Sequence, residues 1–343
     1  MRVVVDDKIP YIREALSLMG VDAVYAPGSR IDNAIVRDAD ALIVRTRTRC
    51  DEVLLRGSRV RFIATATIGY DHIDTAYCAA QGIRWTNAPG CNAASVRQYV
   101  QSVLLLLERE RGVQLSGSTI GVVGVGHVGT LVADMAATWG MRVLRCDPPR
   151  AERGEQGFVS LQEIALEADI ITLHTPLTHN GPHRTWHLAD EQFFACLRRK
   201  PYFINSSRGE TTDTQALLSA LDEGRIAQCI IDVWEREPHI DLRLLDRCYI
   251  GTPHIAGYSA DGKANATRMS LEALSRHFGL GEVPAIVPPA PGQAIVPGMS
   301  REEALLAMYN PHDDSRALKS APEHFEQLRG DYPLRREETA YLL

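Results

Sequence analysis

The stretch Thr119-Ile-Gly-Val-Val-Gly124-Val-Gly126-His-Val-Gly129, running into the apolar-periodic segment Thr130 to Trp139, constrains the fold more than any other part of the chain. It reads as a buried strand, a glycine loop and a helix. Gly124 permits a tight turn, Gly126 lets the backbone approach a pyrophosphate, and Gly129 lets the helix pack closely on the strand. The helix start, at His127 and Val128, turns free N–H groups and a partial positive charge toward the phosphates. The next strand, Met141 to Cys146, ends at Asp147, where an acidic residue accepts hydrogen bonds from a ribose. A carboxylate there repels a 2′-phosphate, so NAD is favoured over NADP. Arg150, close by, is a cation that could accommodate such a phosphate.

Short apolar runs alternate with amphipathic stretches on both sides of this unit. Arg2 to Val5, Pro10 to Met19, Ala41 to Val44, Val60 to Ala64 and Asp71 to Gln81 form a first series. A second series has strands near Thr119, Arg142, Ile170, Tyr202, Cys229 and Tyr249 and ends at about Gly281. Such alternation predicts parallel sheets covered by helices. Between the two, Asn92 to Arg109 predicts a long helix crossing between domains, with the apolar block Val103 to Leu107. Beyond Gly281, the prolines at 284, 288, 289, 291 and 297 mark a linker. Ser300-Arg-Glu-Glu303 then reads as a capping box before one short helix, and Pro322 to Arg329 as a second. Two short helices rarely bury a core, so this tail predicts a dimerisation segment whose apolar residues need a partner.

Three strand ends carry chemistry: Asn205-Ser-Ser-Arg208-Gly209, Asp232-Val-Trp-Glu-Arg-Glu237-Pro238 and Thr252-Pro-His254-Ile-Ala-Gly257. Ligands of open α/β sheets gather at the carboxyl ends of strands, so an arginine, a glutamate and an imidazole can converge there. That set suits oxidation of an alcohol beside a carboxylate. Arg208 grips the acid group in a two-pronged fork, His254 moves the hydroxyl proton, and Glu237 orients the imidazole and favours its charged form. A fourth strand, Asp169 to Leu173, ends in His174-Thr175-Pro176, and Thr175 and Asp232 could bond a nicotinamide ribose or carboxamide.

These segments, with Gly69-Tyr-Asp71-His72-Ile-Asp74 and Asn87-Ala-Pro89-Gly90-Cys-Asn92, resemble the D-isomer-specific 2-hydroxyacid dehydrogenases over about residues 1 to 280. The resemblance implies a two-domain enzyme with a cleft and a homodimer joined by its carboxyl-terminal domain. The fold class is therefore α/β, with two doubly wound parallel-sheet domains and a small carboxyl-terminal α+β dimerisation domain. Residues 1–93 form a flavodoxin-like substrate domain, 94–281 a Rossmann NAD domain and 282–343 the dimerisation domain. Position by position, Arg208, Glu237 and His254 take the catalytic roles. Ser206, Ser207, Arg208 and Gly257 join the glycine loop, Asp147, Thr175 and Asp232 as cofactor contacts. One departure is that the family usually reads Ala-Glu in the long helix where this chain has Arg97-Gln98.

Anion specificity is assigned to the amino-terminal domain. Ile43-Val-Arg45-Thr46-Arg47-Thr48-Arg49 alternates cations and hydroxyls, so either set shares one face while the chain stays extended. Thr65-Ala-Thr67 adds hydroxyls at another strand end. The resemblance points most directly to Thr46, Thr67 and Tyr258, with Arg45, as contacts of a phosphorylated 2-hydroxy acid; phosphoglycerate and glycerate are alternatives, as is a non-enzymatic, dinucleotide-sensing protein.

The net charge of -6 argues against a nucleic-acid surface. Seven scattered cysteines, never spaced C-x-x-C, read as reduced thiols in a cytosol, and no apolar run approaches a signal peptide or membrane span. His179, His183 and His187 fall at four-residue intervals, but Gly181-Pro182 breaks the helix that would align them, and no metal site is expected.

Overall fold

The computed structural model describes residues 1–292 and 298–341. The chain forms two compact units: Met1–Asn92 with Ser259–Ala290, and Ala93–Tyr258 with Pro291–Leu343.

In the first unit β1 (Arg2–Asp6), β2 (Asp22–Ala26), β3 (Ala41–Val44), β4 (Phe62–Thr65) and β5 (Arg84–Thr86) form one parallel sheet in the order β2-β1-β3-β4-β5. This is the flavodoxin-like order of a doubly wound sheet. The period-two alternation of side chains explains why the central strands are apolar throughout. Val4, Leu42, Val44 and Ile63 fill one face, while Val3, Val5, Ile43 and Ala64 fill the other with Leu271 and Leu274. Those two leucines belong to the helix Ala260–Phe278, which therefore packs on the first sheet and not, as the sequence division at residue 281 predicts, in the dinucleotide unit. Val283 and Ile286 lie against the same core, so the proline-rich stretch begins as a strap laid on this unit. Pro297 lies outside the described residues.

In the second unit β6 (Thr119–Val123), β7 (Arg142–Cys146), β8 (Ile170–Leu173), β9 (Tyr202–Asn205), β10 (Gln228–Ile231) and β11 (Ile250–Gly251) form a parallel sheet ordered β11-β10-β9-β8-β6-β7. All six lie where the sequence predicts them. The Rossmann pattern has a further strand outside β7. Here that position holds an extended segment with a single ladder bond, Val159 N–H to the Arg145 carbonyl at 2.8 Å. The helix Ala93–Arg111 does not cross between units; it lies in this one, burying Val103 through Leu107 against Ile120, Val122 and Ile170.

The tail packs on the same unit. Ser300 and Glu303 make the capping box of Arg301–Met308, and two more helices, Pro311–Ser320 and Phe325–Gly330, follow. The described residues 298–341 contain helices and no strand, so the α+β expectation is corrected to helical. Pro311–Ser320 escapes a pattern search because few of its residues are apolar: Ser315 and Leu318 are its buried non-proline positions. Leu305, Leu306, Met308 and Tyr309 join the core around Ala93–Arg111, and Leu318 and Phe325 join the one on the opposite sheet face. The tail's apolar residues thus find partners in their own chain, which removes the argument for a dimer from unpaired apolar surface.

Polar contacts fix the tail's register. Arg97 pairs with Glu338 at 3.0 Å, Gln98 donates to the Arg336 carbonyl at 3.2 Å, and Ser102 donates to the Tyr309 carbonyl at 2.8 Å. Arg335, 5% exposed, stacks over the Tyr309 ring at 4.2 Å and donates to Ser95 and to the Ala256 carbonyl. Leu318→Ala should lower the unfolding free energy by about 2–5 kcal/mol in a urea melt, as for other buried leucines, whereas a cost below about 1 kcal/mol would show that the tail is not part of this core.

Candidate active site

The second sheet reverses its winding between β6 and β8, and the loops after these strands carry the cofactor signature. A Cβ on Gly129 would lie 2.0 Å from the Gly124 carbonyl oxygen, and one on Gly124 would lie 2.7 Å from the His174 backbone, so neither position accepts a side chain. Gly126 faces open space and is the N-cap of His127–Thr138, with no side chain closing the helix N–H groups. Asp147 accepts from Val125 N–H at 2.8 Å and so fixes the loop from below.

Arg150 is committed elsewhere. It forks onto Glu155 at 2.8 and 2.6 Å and donates to the Val125 carbonyl at 2.6 Å. It therefore clamps the loop instead of waiting for a 2′-phosphate.

Three buried polar atoms near these strand ends have no partner among the described residues: Thr175 Oγ1, Ser206 Oγ and His174 Nδ1. Buried polar groups are rarely left unsatisfied, and two of these belong to predicted cofactor contacts. Burial pushes His174 down to about 3, so its ring is neutral and Nδ1 or Nε2 can accept. Orphaned hydroxyls, a helix start with no side-chain cap and open space at Gly126 fit a dinucleotide. Ser207 differs, because its hydroxyl is spent within the loop on Asn205 Oδ1 at 2.9 Å.

After β9 the Asn205 amide donates to the Arg208 carbonyl, Thr211 and Thr212, and its Oδ1 accepts from Ser207 N–H. These bonds bend the chain so that Arg208 stands on a fixed turn. Gly209 is obligatory there, since a Cβ would sit 2.0 Å from the Trp234 backbone. Among the described residues no carboxylate pairs with Arg208, whose Nη1 donates to the Ser207 carbonyl at 2.8 Å.

His254 and Glu237 meet directly, Nδ1 to Oε2 at 2.8 Å. Glu237 Oε1 accepts from Trp234 N–H at 2.9 Å. Burial alone would raise the Glu237 carboxyl, but the hydrogen bond and charge of His254, the Trp234 N–H and the Arg329 cation outweigh it and hold it below the ordinary glutamate value. A carboxylate on Nδ1 places the proton there and leaves Nε2 as the working atom.

The imidazole is held under strain. His254 has φ 57, a left-handed conformation that costs a non-glycine residue about 1–3 kcal/mol. Asp232, 1% exposed, supplies the restraint: Oδ1 accepts from Ile255 N–H at 2.8 Å and Thr252 Oγ1 at 2.6 Å, and Oδ2 from Ala256 N–H at 2.9 Å. Tyr99, fully buried, bonds Thr252 Oγ1 at 2.9 Å, and the Trp234 indole donates to the Thr252 carbonyl at 2.9 Å. Asp232 is thus first a clamp on the histidine loop, with acceptor capacity left only on Oδ2 for a cofactor amide. The sequence does not reveal the clamp, nor Tyr99, because the acceptors and donors lie up to 153 residues apart.

Residues 93–256 match the model of the D-isomer specific 2-hydroxyacid dehydrogenase NAD binding domain. An erythronate-4-phosphate dehydrogenase of Bacteroides thetaiotaomicron is 58% identical over 99% of this chain and 98% of its own. The chain belongs to the D-isomer-specific 2-hydroxyacid dehydrogenase family. It is an NAD-dependent dehydrogenase. Among solved structures of the family, a D-lactate dehydrogenase of Aquifex aeolicus complexed with NAD and lactic acid matches with TM-score 0.67 and 25% identity, covering 81% of this chain and 96% of that one. An NAD-bound 3-phosphoglycerate dehydrogenase of Entamoeba histolytica matches with TM-score 0.69 and 25% identity, covering 84% and 99%.

Within this family's frame, the unusual Arg97-Gln98 pair has a local reason: both side chains dock the tail. The residues expected to read the anion lie at strand ends of the first unit, except Tyr258. Thr67 donates to the Gly69 carbonyl at 2.8 Å and contacts Thr65 Oγ1, which in turn bonds His72. The extended run predicted for residues 45–49 is corrected. Thr48 N–H closes a turn onto the Arg45 carbonyl at 3.2 Å and its hydroxyl, pulled inward, donates to the Gly28 carbonyl. Thr46 is therefore exposed on a turn, Arg45 reaches the Lys8 carbonyl at 3.3 Å, and Arg49 pairs with Asp51. The histidine series also disperses, with His183 on Glu152 and His187 on Glu235.

Glu237→Gln should lower kcat/KM by roughly 100-fold while leaving NAD affinity intact, measured by steady-state kinetics and a binding titration. Because the folded carboxyl lies below its ordinary value, it stabilises the fold at neutral pH, and that contribution fades as pH falls through the folded value. Acid titration of the amide variant should therefore show a flatter loss of stability.

Proposed function

We propose that this chain oxidises 4-phospho-D-erythronate with NAD to 2-oxo-3-hydroxy-4-phosphobutanoate, a step of one route to pyridoxal 5′-phosphate. The observation that carries the chemistry is the 2.8 Å pair of His254 and Glu237 on a clamped loop. The relative in Bacteroides thetaiotaomicron, matched over nearly its whole length, supports the substrate.

Oxidation removes a hydride from carbon and a proton from oxygen. NAD, when bound, supplies the hydride acceptor. His254 Nε2 takes the hydroxyl proton, and Glu237 on Nδ1 stabilises the imidazolium that results. Arg208 binds the carboxylate and polarises the forming carbonyl, a role for which a planar, permanent cation is suited. Glycine-loop N–H groups, Asp147, Thr175 and Ser206 would hold the dinucleotide, and Gly257 and the last acceptor position of Asp232 would serve it as well. Thr46, Thr67, Arg45 and Tyr258 are assigned to the substrate.

We place the enzyme in the cytoplasm and, on the family resemblance alone, as a homodimer. All seven cysteines are free thiols, and no helix among the described residues is long and apolar enough to cross a membrane. An absorbance assay for NADH, run across 4-phospho-D-erythronate, 3-phosphoglycerate and glycerate, tests the substrate; the first should give the highest kcat/KM, and a higher value for either of the others would reassign it. His254→Ala should cut turnover by about 100- to 10,000-fold and leave the NAD dissociation constant unchanged.

A further inference from the structure

The tail delivers a cation to the catalytic pair. Arg329, in the helix Phe325–Gly330, has a side chain 22% exposed, with Nη1 3.9 Å from Glu237 Oε2. That is the same oxygen that holds His254 Nδ1. Its Nη2 lies 3.4 Å from the Tyr258 hydroxyl, and the guanidinium carbon lies 5.9 Å from the centres of the Tyr258 and Phe325 rings.

None of these inward contacts is a full hydrogen bond. The carboxylate distance is too long and the tyrosine distance is at the limit, while Nε is buried without a partner among the described residues. Glu326, on the outer side, makes the shorter ion pair at 3.2 Å. A mostly buried guanidinium with half-made bonds is costly unless something completes its shell. Glu237 does not do so, because at 3.9 Å it lies beyond hydrogen-bond reach and its oxygens are directed to His254 and Trp234. The outstanding donors suit an oxyanion with several acceptors, and arginine matches a phosphate two bonds at a time.

We propose that Arg329, with Tyr258, forms the subsite for the substrate's distal phosphate and so determines specificity for a phosphorylated chain. This rests on the reading above, in which Arg208 holds the carboxylate at the other end of the molecule. The match to the family's NAD binding domain covers residues 93–256, and Arg329 lies outside that stretch. The tail is anchored tightly enough for the purpose, by Arg97, Gln98 and the buried Arg335. The solved structures of the lactate and 3-phosphoglycerate enzymes, matched over 96% and 99% of their own length, cover 81% and 84% of this chain, so it carries residues they lack. The phosphate of a four-carbon acid also stands one carbon farther from the reacting hydroxyl than in 3-phosphoglycerate, which calls for a cation beyond the catalytic loops.

The test compares the wild-type enzyme, Arg329→Gln and Arg329→Lys on 4-phospho-D-erythronate and on D-erythronate, with the pH dependence of kcat/KM for each. Loss of charge-assisted hydrogen bonds predicts a fall of about 10- to 100-fold on the phosphorylated acid, a change below about threefold on the other, and partial retention by lysine, which keeps the charge without the fork. Equal losses on both substrates with a displaced pH profile would mean that Arg329 acts through Glu237 and would overturn the subsite, as would no loss at all. Should wild-type enzyme ignore 4-phospho-D-erythronate, the functional reading fails by itself, and calorimetric titration of the NAD complex with inorganic phosphate still decides the subsite. Binding that weakens in Arg329→Gln, or in Arg329→Lys should the glutamine variant not fold, supports it; no binding, or equal binding, overturns it.

Discussion

The grip of Asp232 on the loop from Thr252 to Ala256 is the interaction on which the site depends. One buried carboxylate accepts two backbone N–H bonds and a threonine hydroxyl, and in doing so keeps His254 in a left-handed backbone conformation. Burial of the carboxylate raises its affinity for a proton, while the charge of His254 and the three bonds oppose that. The balance leaves the Asp232 carboxyl above the ordinary aspartate value, with burial the larger influence. Around it, Tyr99 and Trp234 close the remaining freedom of Thr252, so the imidazole projects from a frame anchored in the Rossmann core. Catalytic precision here is a property of a buried network, in which a partly satisfied member would cost more than an apolar substitute.

The same helix that supplies Tyr99 also receives the tail. Arg97, Gln98 and Ser102 lie on Ala93–Arg111 and bind the carboxyl-terminal segment, while Tyr99 faces the catalytic loop. Arg335 ties the two together, donating to Ser95 on this helix and to the carbonyl of Ala256 in the clamped loop. Tail, helix and catalytic loop therefore form one polar assembly. The addition is integrated with the active centre, and Arg329 reaches the catalytic glutamate as a consequence.

Much of this was legible in the chain. Nine of the eleven strands follow from apolar runs with turn punctuation, β2 and β5 being the two that do not, and the glycine loop, Asp147 and the strand-end placement of Arg208, Glu237 and His254 follow from spacing. What escaped has a common cause: it depends on partners distant in sequence. Asp232 reads only as a cofactor contact until the donors around it, Thr252, Ile255 and Ala256, show it to be a clamp as well, and Arg329 reads as the end of a short helix until the fold sets it beside Tyr258. The tail illustrates the converse error, since apolar residues without a partner in sequence, such as Leu305 and Phe325, were expected to seek another subunit and instead complete the two faces of the dinucleotide sheet. The turn at Thr48 shows local chemistry overriding alternation, because a buried hydroxyl with a carbonyl partner outweighs continued extension.

The most direct measurement of the clamp is amide hydrogen exchange at Ile255 and Ala256 in Asp232→Asn, read alongside turnover. An amide side chain offers one oxygen where two are needed and sets an N–H donor against a backbone N–H. Protection at these amides and turnover should collapse together. A variant that exchanges freely at both positions yet turns over at the parental rate would contradict the account.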